Sequence, residues 1–163
     1  MKKAIIFILI VAIVMLFTPA MMYAEGKGPK DKATGEIWMS GPSQHMIFNA
    51  HDYGEASLDK GQVEYWNYDY PGPLHYTTSV LSVKVGGSGE ARFMFQIPEG
   101  WPGLSGLYVV CAVWDLGTPG TNGDIYGHTA TSDYTTALGW CENGVSVGLY
   151  PITGGNLVVH TYN

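Results

Sequence analysis

Tyr65-Trp66-Asn67-Tyr68-Asp69-Tyr70, with Tyr76 shortly after, is the densest aromatic patch in this 163-residue chain. If the segment is a strand, alternation puts Trp66, Tyr68 and Tyr70 on one face and Tyr65, Asn67 and Asp69 on the other. Aromatic rings on an open face could stack a glycan or another flat ligand, their hydroxyls supplying hydrogen bonds. Buried, the same rings would only be core or cross-strand pairs. Trp101, between Gly100 and Pro102, is the tryptophan expected to be most exposed.

A second constellation lies on the Gly-rich stretch from Asp115 to Asp124. Asp115, Asn122 and Asp124 are hard oxygen donors of the kind calcium takes. No Glu closes the loop in the EF-hand manner, and Asp and Asn also serve turns through bonds to their own backbone. The expectation is no cofactor, with calcium on this loop as the alternative and a transition metal on histidines from separate strands as a weaker one. The histidines (His45, His51, His75, His128, His160) show no H-E-x-x-H or H-x-H pairing. Gly86-Gly87-Ser88-Gly89-Glu90 misses the G-x-S-x-G nucleophile elbow because Glu90 replaces the last glycine. The phosphate-cradling G-x-x-x-x-G-K pattern is missing as well.

Short β-like runs between turn signals must position these groups. They are Glu36–Ser40, His45–Ala50, Gln62–Tyr70, Leu74–Val85, Ala91–Ile97, Leu107–Asp115 and Asn156–Tyr162, with weaker candidates at Thr135–Trp140 and Ser146–Tyr150. Leu116 to Gly127 reads as a long loop. Beyond the first 24 residues, no helical apolar period runs ten residues without Gly or Pro. In Ala91–Ile97 the residues Ala91, Phe93, Phe95 and Ile97 share a face, as do Leu81, Val83 and Val85 in the strand before it. The tight Gly86–Gly89 connection joins these two as a hairpin. Leu107–Trp114 is apolar on both faces, so it is covered on both sides. The expected fold is an all-β antiparallel barrel of about eight strands, with a two-layer sandwich as the alternative.

The N-terminus speaks to location. Lys2-Lys3, an apolar run from Ala4 to Phe17 and small residues up to Ala24 describe a secretory signal peptide over residues 1–24. The run is shorter than the roughly 20 residues that a membrane-spanning helix needs. Residues 25–33 read as a flexible leader and 34–163 as one β domain. The exported part is expected to be secreted or extracytoplasmic; a retained leader would instead tether it to a membrane. With Lys2 and Lys3 removed, six basic residues face 14 acidic ones, a net charge of −8 that argues against nucleic acid as partner. In an oxidising compartment Cys111 and Cys141 are expected to form one disulfide, worth about 3–4 kcal/mol by loop closure. The alternative is two buried thiols.

Several short pieces occur in a recognisable order. These are Gly35-Glu36-Ile37-Trp38, Ile47-Phe48-Asn49-Ala50-His51, Gly61-Gln62-Val63-Glu64-Tyr65, Val113-Trp114-Asp115-Leu116-Gly117 and Gly155-Asn156-Leu157-Val158-Val159-His160. The order resembles a diffuse group of exported, β-rich microbial proteins and appended modules of uncharacterised function. The resemblance implies a fold and transfers no catalytic residue. Members often carry a Cys in the strand matching Val80–Val83, where this chain has none. The expected role is a non-enzymatic binding or structural module outside the cytoplasm, taking a glycan or a small aromatic or apolar ligand. The competing class is an extracellular enzyme using Asp115, Asp124 and a histidine at the barrel mouth.

Overall fold

The computed structural model describes residues 28–39, 43–69, 72–117 and 123–162. The expected signal peptide therefore lies outside the described residues, as do Tyr70 and Asn122. Eight strands alternate inward apolar and outward polar side chains: β1 (Asp31–Met39), β2 (Gln44–Asp52), β3 (Lys60–Asn67), β4 (Leu74–Val85), β5 (Glu90–Gln96), β6 (Tyr108–Trp114), β7 (Ile125–Thr131) and β8 (Tyr150–Thr161). Each pairs antiparallel with its neighbour in sequence, and β8 pairs back to β1, so the sheet closes into an eight-stranded barrel. Closure leaves only short edges and surrounds a core too small for anything but side chains and one small solute. β1 takes in Asp31 to Ala33, the last residues of the expected leader.

The core runs through the lumen, with Ile37, Met46, Val63, Val83, Phe93, Phe95 and Val113 among its most buried members. Phe48 and Phe93 stack across it with ring centroids 4.6 Å apart. The β4–β5 hairpin forms as expected, with one correction. A register shift between Val80 and Ser82 places Val80 in the lumen and turns Leu81 to the outer face. At the hairpin turn Gly89 has φ +75°, and its backbone lies so close to the Asp115 carbonyl that a Cβ would collide with it.

The expected strand at Thr135–Trp140 is instead part of a helix, α1 (Tyr134–Asn143). Asp133 caps it by accepting the Thr136 N–H at 2.6 Å, and Gly144 ends it with its N–H on the Trp140 carbonyl. Gly139 broke the apolar period without breaking the helix, because the helix needs only one apolar stripe. That stripe, Ala137 and Cys141, packs on Met94 and Val110 on the outer face of β5 and β6. This explains why β6 is apolar on both faces: Val109, Cys111 and Val113 point into the lumen, and Val110 lies under α1. Arg92, on the outer face of β5, donates to the Cys141 carbonyl at 2.7 Å and to Glu90 at 2.6 Å. It thereby places a cation at the carbonyl end of α1, where the helix dipole favours one.

Two further expectations are corrected here. β7 begins at Ile125, inside the stretch read as loop, and of Ser146–Tyr150 only Tyr150 is strand. The seam between β7 and β8 is short, with Ile125 opposite Pro151 and Tyr126 opposite Tyr150. Beside it, Val147 and Gly148 cross directly over Gly127, leaving no room for a Cβ there.

Cys111 and Cys141 form no disulfide; both are free, buried thiols. The wall of the barrel separates them, since Cys111 faces the lumen and Cys141 sits on α1 outside it. The Cys141 Sγ instead lies 3.7 Å from the Ser82 carbonyl oxygen.

Candidate functional site

One end of the barrel is closed by carboxylates. Asp31 and Asp52 stand at that end of β1 and β2, and Asp59, Asp115 and Asp124 lie in the connections there. Each accepts backbone N–H groups. Asp52 takes Gly54 at 2.6 Å and Val85 at 3.3 Å, Asp59 takes Tyr53 at 2.9 Å and Val83 at 2.6 Å, and Asp31 takes Tyr162 at 2.8 Å. Asp115 accepts from Gly117 at 2.9 Å and from Val159 at 3.0 Å, and Asp124 accepts from Leu116 at 3.0 Å. The reason is topological. β4 runs beyond β3 after the Gln62–Ser79 pair, and β8 runs beyond β7 after Pro151, so both expose N–H groups that have no strand partner. Asp52 at the end of β2 and Asp59 and Asp115 in the connections supply the missing acceptors. Asp115 and Asp124, considered above for calcium and for catalysis, are thus engaged with backbone. Asp124 is 0% exposed, and its Oδ2 has no hydrogen-bond partner among the described residues. Burial pushes its carboxyl above the usual carboxylate value, and does the same for Asp59.

The opposite end is open. There the lumen holds a cavity of about 310 Å³, walled by Met39, Met46, Leu74, Tyr76, Phe95 and Val109, with Leu104 and Leu107 from the β5–β6 connection at its mouth. A few polar groups reach in: Gln44, Tyr65, Asn67, Cys111 and His128. The Tyr65 hydroxyl donates to the Gln44 side-chain oxygen at 3.3 Å. Burial pushes Tyr65 up to about 12 and raises Tyr76 further, so both stay neutral phenols. It also pushes the Cys111 thiol up to about 12. His128 stands where the wall gives way to solvent, its ring parallel to Tyr126 at 6.1 Å. Loss of hydration lowers its pKa, which favours neutral imidazole. No carboxylate is among the residues lining this cavity.

The aromatic strand divides between two faces, as alternation requires. Tyr65 lines the cavity, while Trp66 stands outside. Trp66 is the middle of a row of stacked rings crossing four strands: Trp38 to His45 at 4.1 Å, His45 to Trp66 at 4.8 Å, and Trp66 to His75 at 4.7 Å. Each histidine Nε2 also meets a glutamate, His45 with Glu36 at 3.2 Å and His75 with Glu64 at 2.9 Å. Both faces of Trp66 are covered by imidazoles, so a sugar has no ring face of Trp66 to stack on. Tyr68 is 53% exposed, just after the end of β3. Trp101 is half-buried against the core, its ring 6.5 Å from Tyr76, so it flanks the cavity rather than standing free.

Among the expected ligand-binding residues that are described, Trp66, Tyr68 and Trp101, only Trp101 adjoins the cavity. Sequence reasoning missed Cys111 and His128, which are direct partners in the β6–β7 register. The available signal was the inward phase of β6: Cys111 alternates with Val109 and Val113. Among the described residues no group of three or more His, Cys, Asp or Glu is placed to hold a metal ion. No described helix is long and apolar enough to cross a membrane. Comparison of the chain with protein-family models, curated proteins and solved structures finds no match.

Proposed function

We propose that this chain is an exported, non-enzymatic binding module that takes a small, mostly apolar ligand into the open end of its barrel. The observation that carries this reading is the cavity: about 310 Å³ of mostly apolar lumen left unfilled at one end of the barrel. Protein interiors are normally close-packed, and a void of this size forfeits dispersion contacts unless a solute restores them. Its volume stands at the lower end of ligand sites, about 300–1,000 Å³, and its lining has their usual make-up, apolar walls with a few polar groups. Gln44, Asn67, Tyr65 and neutral His128 offer donors and acceptors that would orient one polar group of the ligand. The enzyme reading is the weaker one, because Asp115 and Asp124 are at the far end and hold backbone.

The test is titration with 1-anilinonaphthalene-8-sulfonate, followed by its own emission and by quenching of tryptophan fluorescence, since Trp101 lies against the cavity wall. Saturable 1:1 binding is expected. Val109→Phe, which fills the lumen, should weaken it at least about tenfold, whereas Trp66→Ala on the outer face should leave it unchanged. Binding that survives Val109→Phe in a folded protein, or no binding at all, would leave a purely structural module.

A further inference from the structure

We propose that the wall of this cavity where β6 and β7 pair, opening to solvent at His128, binds a soft monovalent metal ion of the Cu(I) class, through the Cys111 thiolate and the His128 imidazole, with the Met39 and Met46 thioethers completing the site. This goes beyond the apolar-ligand reading, since it assigns the same cavity an occupant of another class.

Cys111 and His128 are opposed residues of paired strands, and both belong to the cavity lining. Cβ atoms of such pairs lie about 4.5–5.5 Å apart. Metal–sulfur and metal–nitrogen bonds of about 2.3 and 2.0 Å bridge that span through one ion. Met39 and Met46 enter the cavity from β1 and β2, across the lumen. Five sulfur-bearing residues are described, and three of them, Met39, Met46 and Cys111, line this one cavity. The other two, Met94 on β5 and Cys141 on α1, pack together outside the barrel wall.

Donor chemistry selects the ion. Thioether, thiolate and imidazole donors without any carboxylate suit Cu(I) and not calcium or magnesium. Charge selects its valence. Loading replaces the thiol proton by the metal, RSH + M⁺ giving RS–M + H⁺, and the Cys–metal unit is neutral. A divalent ion would leave an unpaired positive charge in an apolar lumen, which is costly. The displaced proton leaves to solvent through the open mouth, so binding should strengthen as pH rises.

The experiment titrates the full chain with Ag(I), a redox-inert stand-in, and with Cu(I) under anaerobic conditions against a chromophoric chelator. Expected are one ion per chain, release of about one proton per ion, and a new near-ultraviolet thiolate–metal absorption. Cys111→Ser should weaken binding about a hundredfold and His128→Ala at least about tenfold. The paired change Met39→Leu with Met46→Leu should weaken Ag(I) while sparing the fold. Cys141→Ser is the internal control and should change nothing, because that thiol is outside the barrel.

Cys111→Ser binding as tightly as the parent, Cys141→Ser losing as much, or Zn(II) binding more tightly than Ag(I) would each overturn the proposal. If Cys111→Ser does not fold, His128→Ala with the double methionine variant decides it. The naphthalene probe separates the two readings. Ag(I) should displace it; ion binding without probe binding would sink only the apolar-ligand reading, and the reverse only this one.

Discussion

Asp59 and Asp124 occupy the same end of the barrel and should respond oppositely to the same isosteric change. Asp59 accepts two backbone N–H groups, Tyr53 at 2.9 Å and Val83 at 2.6 Å, one per oxygen. Asp59→Asn keeps one acceptor and turns an NH₂ toward the other N–H, so a charge-assisted bond becomes two donors facing each other. Hydrogen bonds to charged groups contribute about 1.5–3 kcal/mol, and an orphaned buried N–H costs about 1–3 kcal/mol. Because these overlap, the expected loss is about 2–4 kcal/mol, a large share of a domain stability of about 5–15 kcal/mol. Asp124 uses Oδ1 for Leu116, while its Oδ2 is buried without a partner. Asp124→Asn keeps the first bond and removes a buried, unpaired carboxylate oxygen, so stability should hold or rise by up to about 1 kcal/mol.

Urea unfolding followed by tryptophan emission reads both. With a slope of about 1.5 kcal/mol per molar, Asp59→Asn should lower the midpoint by roughly 1.3–2.7 M. Asp124→Asn should not lower it at all. The pH dependence has a definite sign. A carboxyl whose folded pKa is raised stabilises the fold while protonated, and that contribution is lost as pH rises from 3.8 through the raised value. Any advantage of Asp124→Asn should therefore be present at pH 7 and vanish below about pH 3.8. Equal midpoint losses for the two variants, or an Asp59→Asn midpoint equal to that of the parent, would refute the claim that these carboxylates substitute for absent strands.

Three further outcomes follow from the same geometry. Reductant should leave the melting temperature unchanged, and a thiol reagent should count two cysteines after denaturation but react slowly before it, since both thiols are buried and pushed up to about 12. Asp133→Ala removes the N-cap of α1 and should cost about 1 kcal/mol in chemical unfolding without altering probe binding in the cavity. Trp66→Ala should destabilise by about 2–3 kcal/mol through loss of the stacked row, and added oligosaccharides should not perturb the fluorescence of the parent chain, because Trp66 offers them no ring face.

Alternation and turn residues were enough for most of the barrel, because a side-chain period of two is a local property and each hairpin is fixed by residues a few positions apart. β6 announced itself as covered on both faces, and the β4–β5 hairpin came directly from its Gly-rich turn. α1 was hidden because its buried stripe is only Ala137 and Cys141, and a helix resting on an existing sheet needs little more. β7 was hidden because His128, Thr129 and Thr131 give no apolar rhythm, half of that strand facing the cavity or solvent.

The inward or outward phase of each strand is written in the chain, so Tyr65 and Trp66 had to part company, and Cys111 had to share a side with Val109 and Val113. Which phase is the lumen is not written there, nor is the wall that separates Cys111 from Cys141. The shear of the closed barrel also lies beyond local pattern. It carries β4 past β3 and β8 past β7, and so turns Asp52, Asp59 and Asp115 into backbone acceptors. Those are consequences of closing eight strands on themselves, a condition that couples residues more than a hundred positions apart, as in the bond from Tyr162 to Asp31. The open cavity belongs to the same class, since it exists only where side chains from β1 to β7 fail to meet across the lumen.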